Sequence, residues 1–128
     1  MIDTTTLKFA ADGLIPAIAV DWQSSEVLML GYMNAEAVRA TVETGRLTFW
    51  SRSRSKFWIK GETSGHTADV KWVRVDCDND ALLVGVELHG AMCHDCFRSC
   101  FYRELRDGEW QVIAERLADP DEVYGSKD

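Results

Sequence analysis

Four cysteines give this sequence its clearest capacity for metal chemistry. They are Cys77, Cys93, Cys96 and Cys100, and the rest of the chain contains none. Disulfide frameworks are rare in a reducing compartment, so this clustering indicates metal ligation or redox chemistry. Zinc favours thiolate ligands, and Cys77, Cys93 and Cys100 could hold it while leaving a fourth position open for water. An open position is typical of catalytic rather than structural zinc.

The spacing leaves two other uses of the cysteines open. Cys93 and Cys96 have the two-residue gap found in zinc knuckles and in redox pairs. If Cys96 joined Cys77, Cys93 and Cys100, the four thiolates would form a saturated structural zinc site in a binding module. A reversible disulfide between Cys93 and Cys96, without metal, would instead indicate a redox protein.

The segment Asp76-Cys77-Asp78-Asn79-Asp80 offers a ligand set of another kind. Side chains of an extended chain alternate, so Asp76, Asp78 and Asp80 would share one face and Cys77 would point to the other. Carboxylates suit a hard cation such as Mg²⁺, whereas the thiolate suits zinc. The pattern predicts two metal sites of different character. The alternative is an acidic surface turn, in which Asp and Asn are common.

A basic stretch precedes these ligands in an otherwise acidic chain. The formal net charge is −7, but residues 44–61 contain no acidic side chain. Their basic residues are Arg46, Arg52, Arg54, Lys56 and Lys60. This local charge favours a small phosphorylated ligand, while the net charge argues against general nucleic-acid binding. A solvated strand face would explain the same residues.

Two polar segments are candidate contacts for such a ligand. In the first, arginines alternate with hydroxyl groups that could converge on phosphate oxygens. In the second, glycines let the backbone approach a ligand closely. The candidate binding residues are Trp50, Ser51, Arg52, Ser53 and Arg54 in the first segment, and Lys60, Glu62, Thr63, Ser64 and Gly65 in the second, which ends at His66.

The elements that must position these residues are mostly strands. Strands are predicted over residues 14–20, 26–33, 47–53, 68–77 and 81–89, and a hairpin closed by Asp107-Gly108 over residues 101–117. Asn34 is placed to cap the start of a helix that Gly45 ends. We therefore expect a β-rich α+β fold with one or two helices, as a single domain over residues 1–117 with a polar tail over residues 118–128.

The hydropathy pattern gives no sign of a membrane partner. The longest apolar runs are far shorter than the roughly 20 residues that span a bilayer. The N-terminus lacks the charged and apolar regions of a signal peptide. We expect a cytoplasmic protein.

Six segments, taken together, resemble the phosphoribosyl-AMP cyclohydrolase family of histidine biosynthesis. They are residues 12–17, 27–34, 50–54, 60–66, 76–80 and 98–102, and the resemblance covers about residues 8–105. It implies hydrolysis of N1-(5-phosphoribosyl)-AMP across the N1–C6 bond of its adenine ring. The product would be an opened imidazole carboxamide nucleotide that carries two phosphoribosyl groups.

The resemblance also implies an intertwined homodimer with shared metal ligands. Cys77 of one chain would join Cys93 and Cys100 of the other around zinc. Mg²⁺ would lie at Asp76, Asp78 and Asp80. One departure from the family is that Asp95 and Cys96 stand where threonine and glycine are usual, and we interpret Cys96 as a spare thiol.

The implied reaction needs an activated water and a proton acceptor. Zinc can lower the pKa of bound water to about 7. Three thiolates donate much charge and should make this water less acidic than three histidines would, so a nearby base would help. His94, beside Cys93, is the first candidate for this base, and His66 is the second or a substrate contact. Mg²⁺ and the segment around Arg52 and Arg54 would hold phosphates and orient the ring.

Overall fold

A four-stranded sheet organises the fold in a computed structural model of the chain, which describes residues 2–124. In chain order the elements are a 3₁₀ turn (Thr4–Thr6), β1 (Ile15–Asp21), β2 (Val27–Met33), α1 (Ala35–Thr44), β3 (Thr48–Ser51), β4 (Lys56–Ile59), β5 (Ala68–Val75), β6 (Leu82–Leu88), β7 (Arg103–Arg106), β8 (Glu109–Val112) and α2 (Pro120–Tyr124). The sheet order is β2-β1-β6-β5, and only the β1–β6 pair in it is parallel. This is the predicted β-rich α+β architecture.

The core lies where this sheet meets α1 and the β3–β4 hairpin. Ile15 of β1, Val38 of α1 and Phe49 of β3 are fully buried members of one apolar cluster. The Phe49 ring stacks on Trp58 of β4 with the centroids 4.8 Å apart. A Cβ atom at Gly31 of β2 would come within 2.6 Å of the Phe49 ring. Glycine at this position therefore lets the hairpin pack directly against β2.

The helix α1 begins and ends at the residues that its local chemistry predicts. The Asn34 side-chain oxygen accepts a hydrogen bond from the Ala37 N–H at 2.8 Å. Gly45 has a φ of 72°, and its N–H donates to the Thr41 carbonyl oxygen. The buried Thr41 hydroxyl also donates to the Thr48 carbonyl oxygen at 3.1 Å. These bonds fix the helix against β3, which leads to the candidate site.

Several boundaries differ from the sequence prediction. The predicted hairpin at residues 101–117 is confirmed but shorter, since β7 and β8 pair only over Arg103–Arg106 and Glu109–Val112. The polar tail contains the short helix α2, and residues 125–128 lie outside the described residues. No helix within residues 2–124 has the length and apolar character needed to span a membrane.

Candidate active site

The loop between β6 and β7, residues 89–102 and called the cysteine loop below, brings the side chains of Cys93 and Cys100 together. The loop closes on itself where the Cys93 N–H donates to the Phe97 carbonyl oxygen at 3.1 Å, and the Cys100 N–H donates to Leu28 of β2 at 2.7 Å. Desolvation of the Cys100 sulfur, the electrostatic effect of the neighbouring Cys93 side chain and a hydrogen bond between the two side chains raise the pKa of Cys100 to about 12. The paired sulfurs thus retain a proton that a metal ion would displace on binding.

Arg98 and Ser99 hold this cysteine loop against the β1–β2 turn. The Arg98 guanidinium donates to Asp21 at 2.6 Å and to Glu26 at 2.8 Å. The Ser99 hydroxyl donates to the Val27 carbonyl oxygen at 2.8 Å. These contacts fix the backbone on the N-terminal side of Cys100, so the position of its sulfur depends on the central sheet.

A cleft of about 530 Å³ lies beside the cysteine loop. It joins parts of three predicted segments, because Arg54, the loop after β4, and His94 with Cys100 all face it. Several apolar residues that line the cleft were not predicted from the sequence, because they come from strands and loops that are far apart in the chain. The lining residues are Met29, Arg54, Trp58, Ile59, Lys60, Gly61, Glu62, Thr63, Ser64, Met92, His94 and Cys100. Its size and mixed lining suit a small polar ligand.

The first predicted binding segment is divided between two hollows. Arg54 lines the cleft, whereas the four residues before it line a neighbouring hollow with Gly31 and Tyr32. Those four residues are Trp50, Ser51, Arg52 and Ser53. The Arg52 guanidinium lies 4.4 Å from the centre of the Tyr32 ring. Trp58 is common to both hollows, so the two form adjacent parts of one surface.

The second predicted segment is a tight loop closed by its own hydrogen bonds. Gly61 has a φ of 89°, and a Cβ atom there would lie 2.7 Å from the Thr67 Cα atom. The Gly65 N–H donates to the Gly61 carbonyl oxygen at 2.8 Å, and the His66 N–H donates to the Ser64 hydroxyl oxygen at 3.1 Å. Only glycine fits at Gly61 without strain, and this places the loop at the edge of the cleft.

The two candidate histidines have different surroundings. His94 is exposed and lines the cleft together with Cys100. The His66 Nδ1 atom accepts a hydrogen bond from the Ala91 N–H at 3.1 Å, and a Cβ atom at Gly90 would lie 2.7 Å from the His66 ring. Neutral His66 therefore carries its proton on Nε2, which is the ring nitrogen left for a ligand.

Lys60 is not part of the solvated basic surface that the sequence predicts. The residue is only 5% exposed, and its Nζ atom donates to the His66 carbonyl oxygen at 2.8 Å and to the Ala91 carbonyl oxygen at 3.0 Å. Burial lowers the pKa of Lys60, and the nearby Cys100 and Cys93 thiols oppose that shift. The ammonium group is thus part of the protein interior beneath the cleft rather than of a solvated strand face.

The three aspartates converge, but not for the predicted reason. β5 ends at Val75, and residues 76–80 form a turn in which Asn79 has a φ of 64°. The prediction of alternating faces in an extended chain is therefore wrong. The turn still brings carboxylate oxygens of Asp76, Asp78 and Asp80 within 4.8 Å of one another. Such a group of oxygens can hold a hard divalent cation.

The carboxylates of this turn have unequal proton affinities. Hydrogen bonds with the Asp78 and Asp76 side chains, followed by desolvation and their negative charges, raise the pKa of Asp80 to about 6. Desolvation also acts to raise the pKa of Asp76, but N–H groups of Asp80 and Ala81 donate to its carboxylate and lower it overall. Below about pH 6, a proton on Asp80 relieves the repulsion among the three carboxylates.

Cys77 does not meet Cys93 and Cys100 within one chain. It is exposed in the aspartate turn before β6, whereas Cys93 follows the end of β6. The extended length of that strand separates its two ends by about 20 Å. Within residues 2–124, no group of three or more close metal-ligand atoms includes a cysteine.

Cys96 occupies a different environment from the other thiols. The residue is 0% exposed, and its φ of 67° lies in the region that favours glycine. Its sulfur lies 4.0 Å from the His94 carbonyl oxygen, and burial raises the pKa of the thiol. Cys96 is therefore packed beneath the loop, while Cys100 lines the cleft.

Sequence reasoning missed a second group of ligand atoms on the sheet. Asp69 of β5 lies opposite Glu87 of β6, and His89 lies 3.0 Å from Asp69. The strand register that joins them is not readable from the sequence. The Lys71 ammonium pairs with Glu87 at 3.3 Å and already supplies positive charge there.

Comparisons with known proteins give a consistent result. A model of the family described as phosphoribosyl-AMP cyclohydrolase matches residues 29–102. A phosphoribosyl-AMP cyclohydrolase of Paracoccus denitrificans is 58% identical over 88% of this chain and 93% of its own length. Proteins of the same name are 56% identical in Cereibacter sphaeroides, over 90% of this chain and 97% of theirs, and 52% identical in Pelotomaculum thermopropionicum, over 98% of both.

Proposed function

The chain belongs to the phosphoribosyl-AMP cyclohydrolase family, and on this premise we propose that it hydrolyses N1-(5-phosphoribosyl)-AMP in histidine biosynthesis. The bond broken is N1–C6 of the adenine ring. The observation that carries the proposal is the cleft that gathers Arg54, His94 and Cys100 beside the paired Cys93. It combines a cation for phosphate, a titratable imidazole and soft metal ligands in one place.

We propose that Cys93 and Cys100 bind zinc together with Cys77 of the partner subunit in a homodimer. The close pairing of Cys93 with Cys100 supports this, as does the position of Cys77 at the far end of β6. When bound, zinc with an open fourth position would supply Lewis acidity toward the attacking water. The burial of Cys96 favours this open arrangement over the saturated four-cysteine site of a binding module.

The aspartate turn is proposed as the Mg²⁺ site of the same active centre. Because Cys77 lies between Asp76 and Asp78, any contact that brings Cys77 to a second copy's cleft also brings the carboxylates there. A divalent cation held by Asp76, Asp78 and Asp80 would neutralise phosphate charge. The cluster of oxygens within 4.8 Å supports this role.

The protein's own residues supply orientation and proton transfer. The nucleotide is proposed to bind to Arg54 and to the loop with Glu62, Thr63, Ser64 and Gly65. Its second phosphoribosyl group is proposed to bind in the hollow that contains Trp50, Ser51, Arg52 and Ser53. His94 is proposed to accept the proton from the attacking water, since it lines the cleft with Cys100. His66 is proposed as an orienting contact through Nε2.

We also propose a cytoplasmic location, which would keep the four free thiols reduced.

The decisive experiment is incubation of the metal-replete protein with N1-(5-phosphoribosyl)-AMP while the purine absorbance is followed. We expect turnover that a strong zinc chelator abolishes and added zinc restores. Cys93→Ser should lose both zinc and activity, whereas the matched variant Cys96→Ser should keep both. Absence of turnover in metal-replete protein would refute the proposed reaction, and loss of zinc in Cys96→Ser would favour the structural site.

A further inference from the structure

We propose that Lys60 is a positioning residue of the zinc site, which fixes the backbone before Cys93 and supplies the positive charge that a three-thiolate metal centre lacks. This inference rests on the proposed zinc site. Because Lys60 lies in a basic stretch of the sequence, the sequence alone predicts that its side chain is solvated and contacts phosphate. The geometry points to a different role for the ammonium group.

The surroundings of the ammonium group argue against a phosphate contact. Lys60 is 5% exposed, and Nζ donates to two carbonyl oxygens, those of His66 and Ala91. Among the ion pairs formed by residues 2–124, none includes Lys60. Burying a cation is costly unless opposite charge lies nearby, and two neutral carbonyl groups offset that cost only in part.

The missing negative charge is available from the cysteine loop. Cys100, Cys93 and Cys96 all lie close enough to Lys60 to act on it electrostatically. Zn²⁺ with three thiolates carries a net charge of about −1 by formal counting. The ammonium group of Lys60, which is held at Ala91 just before Cys93, would balance that charge once zinc is bound.

The Lys60 side chain also holds two loops of the site together. The Ala91 peptide is held from two sides, because its N–H donates to His66 Nδ1 and its carbonyl oxygen accepts from Lys60 Nζ. Ala91 lies two residues before Cys93. Lys60 also holds the His66 carbonyl oxygen, so one ammonium group links the loop at the cleft edge to the cysteine loop.

The test compares Lys60→Met, which removes the charge but keeps a long side chain, with Lys60→Arg, which keeps the charge. Lys56→Met serves as the matched control, because Lys56 is an exposed lysine at the start of β4. Zinc affinity is measured by competition with a chromophoric chelator, and thermal unfolding is followed in the metal-free protein. We expect Lys60→Met to lose about tenfold or more in zinc affinity, Lys60→Arg to lose less, and Lys56→Met to lose none.

The readouts separate this role from its alternatives. In Lys60→Met, loss of the two hydrogen bonds to carbonyl oxygens is offset in part by removal of a buried charge, so the unfolding temperature of the metal-free protein should fall only slightly while zinc affinity falls strongly. If Lys60→Met lowers that temperature and leaves zinc affinity unchanged, the residue is merely structural and the inference is wrong. A rise in KM without a change in zinc affinity would identify a phosphate contact and would also refute it. Zinc affinity is measured without turnover. Wild-type protein that binds zinc but does not hydrolyse the nucleotide would therefore refute the proposed function and leave the role of Lys60 standing.

Discussion

At the scale of single residues, the aspartate turn shows how neighbouring carboxylates can be held together without metal. Asp76 accepts hydrogen bonds from two backbone N–H groups, while Asp80 has a pKa of about 6 because of its bonds with Asp78 and Asp76. Below about pH 6, a proton on Asp80 reduces the repulsion among the three carboxylates. A divalent cation would have to displace that proton.

Cation binding at this turn should therefore depend on pH. Below about pH 6, Asp80 holds its proton, so Mn²⁺ used as a probe for Mg²⁺ should bind more weakly at about pH 5 than at about pH 7.5. The stability of the metal-free protein should change in the opposite direction. Because the folded pKa of Asp80 exceeds its unfolded value, this group's stabilising contribution is largest at low pH and is lost as the pH rises through about 6.

Calorimetric titration with Mn²⁺ at the two pH values is the measurement. Asp78→Asn should reduce the affinity and flatten its pH dependence, because the hydrogen bond that raises the Asp80 pKa is altered. Asp107→Asn, in the exposed β7–β8 turn, is the control and should behave like the wild type. Equal affinities for the wild type at both pH values would contradict this account.

At the scale of elements, the cysteine loop has little regular structure and depends on contacts with the sheet. Arg98 reaches back to Asp21 at the end of β1 and to Glu26 before β2. These ion pairs join residues that are 72 to 77 positions apart in the chain. The geometry around Cys100 is thus a property of the assembled sheet rather than of the local sequence.

Loss of the Arg98 ion pairs should loosen the loop more than it destabilises the whole protein. For Arg98→Gln we expect a fall of about 1 kcal/mol in the free energy of unfolding, since these pairs are partly exposed. Cys100 is already exposed but its pKa is raised, so local opening should hydrate the sulfur, lower that pKa and raise the rate at which a thiol reagent modifies Cys100 in the metal-free protein. Arg106→Gln breaks an ion pair in the β7–β8 hairpin and is the control. An unchanged rate of Cys100 modification would show that other contacts hold the loop.

At the scale of the whole molecule, much of the apolar surface in the described part of the chain is uncovered. Every residue of β7 and β8 is exposed, including Trp110 and Val112. An isolated two-stranded hairpin has marginal stability in water. Phe101 next to Cys100 and Val75 next to the aspartate turn are exposed as well. Apolar surface beside both halves of the proposed ligand set is consistent with a second copy of the chain covering it.

Two inactive variants should therefore restore activity when mixed. If the proposed homodimer shares its zinc ligands, one of the two sites in a hybrid of Cys77→Ser and Cys93→Ser chains would receive intact ligands from both chains. Random pairing after unfolding and refolding together should return about a quarter of the wild-type activity. Mixing Cys93→Ser with Cys100→Ser is the control, because both defects lie in the same half of the site and no hybrid repairs them. Activity of Cys77→Ser alone would exclude the shared site.

The features predicted correctly from the sequence are those with local causes. Asn34 and Gly45 mark the ends of α1 through contacts within a few residues, and the Asp107-Gly108 turn closes its hairpin. The aspartate cluster was predicted for the wrong reason, because the left-handed Asn79 replaces an extended strand with a turn. The direction of the Lys60 side chain was missed, since its partner Ala91 lies 31 residues away. The local sequence does not encode such distant contacts.

The length of β6 also has a thermodynamic consequence. Because Cys77 and Cys93 lie at opposite ends of this strand, an unassembled chain can offer zinc only part of the proposed ligand set. Zinc binding and chain association would then be thermodynamically linked. By reciprocity, the factor by which association tightens zinc binding is the factor by which zinc tightens association. Newly made chains would compete poorly for cellular zinc until they meet, and zinc depletion would release subunits as well as stop the reaction.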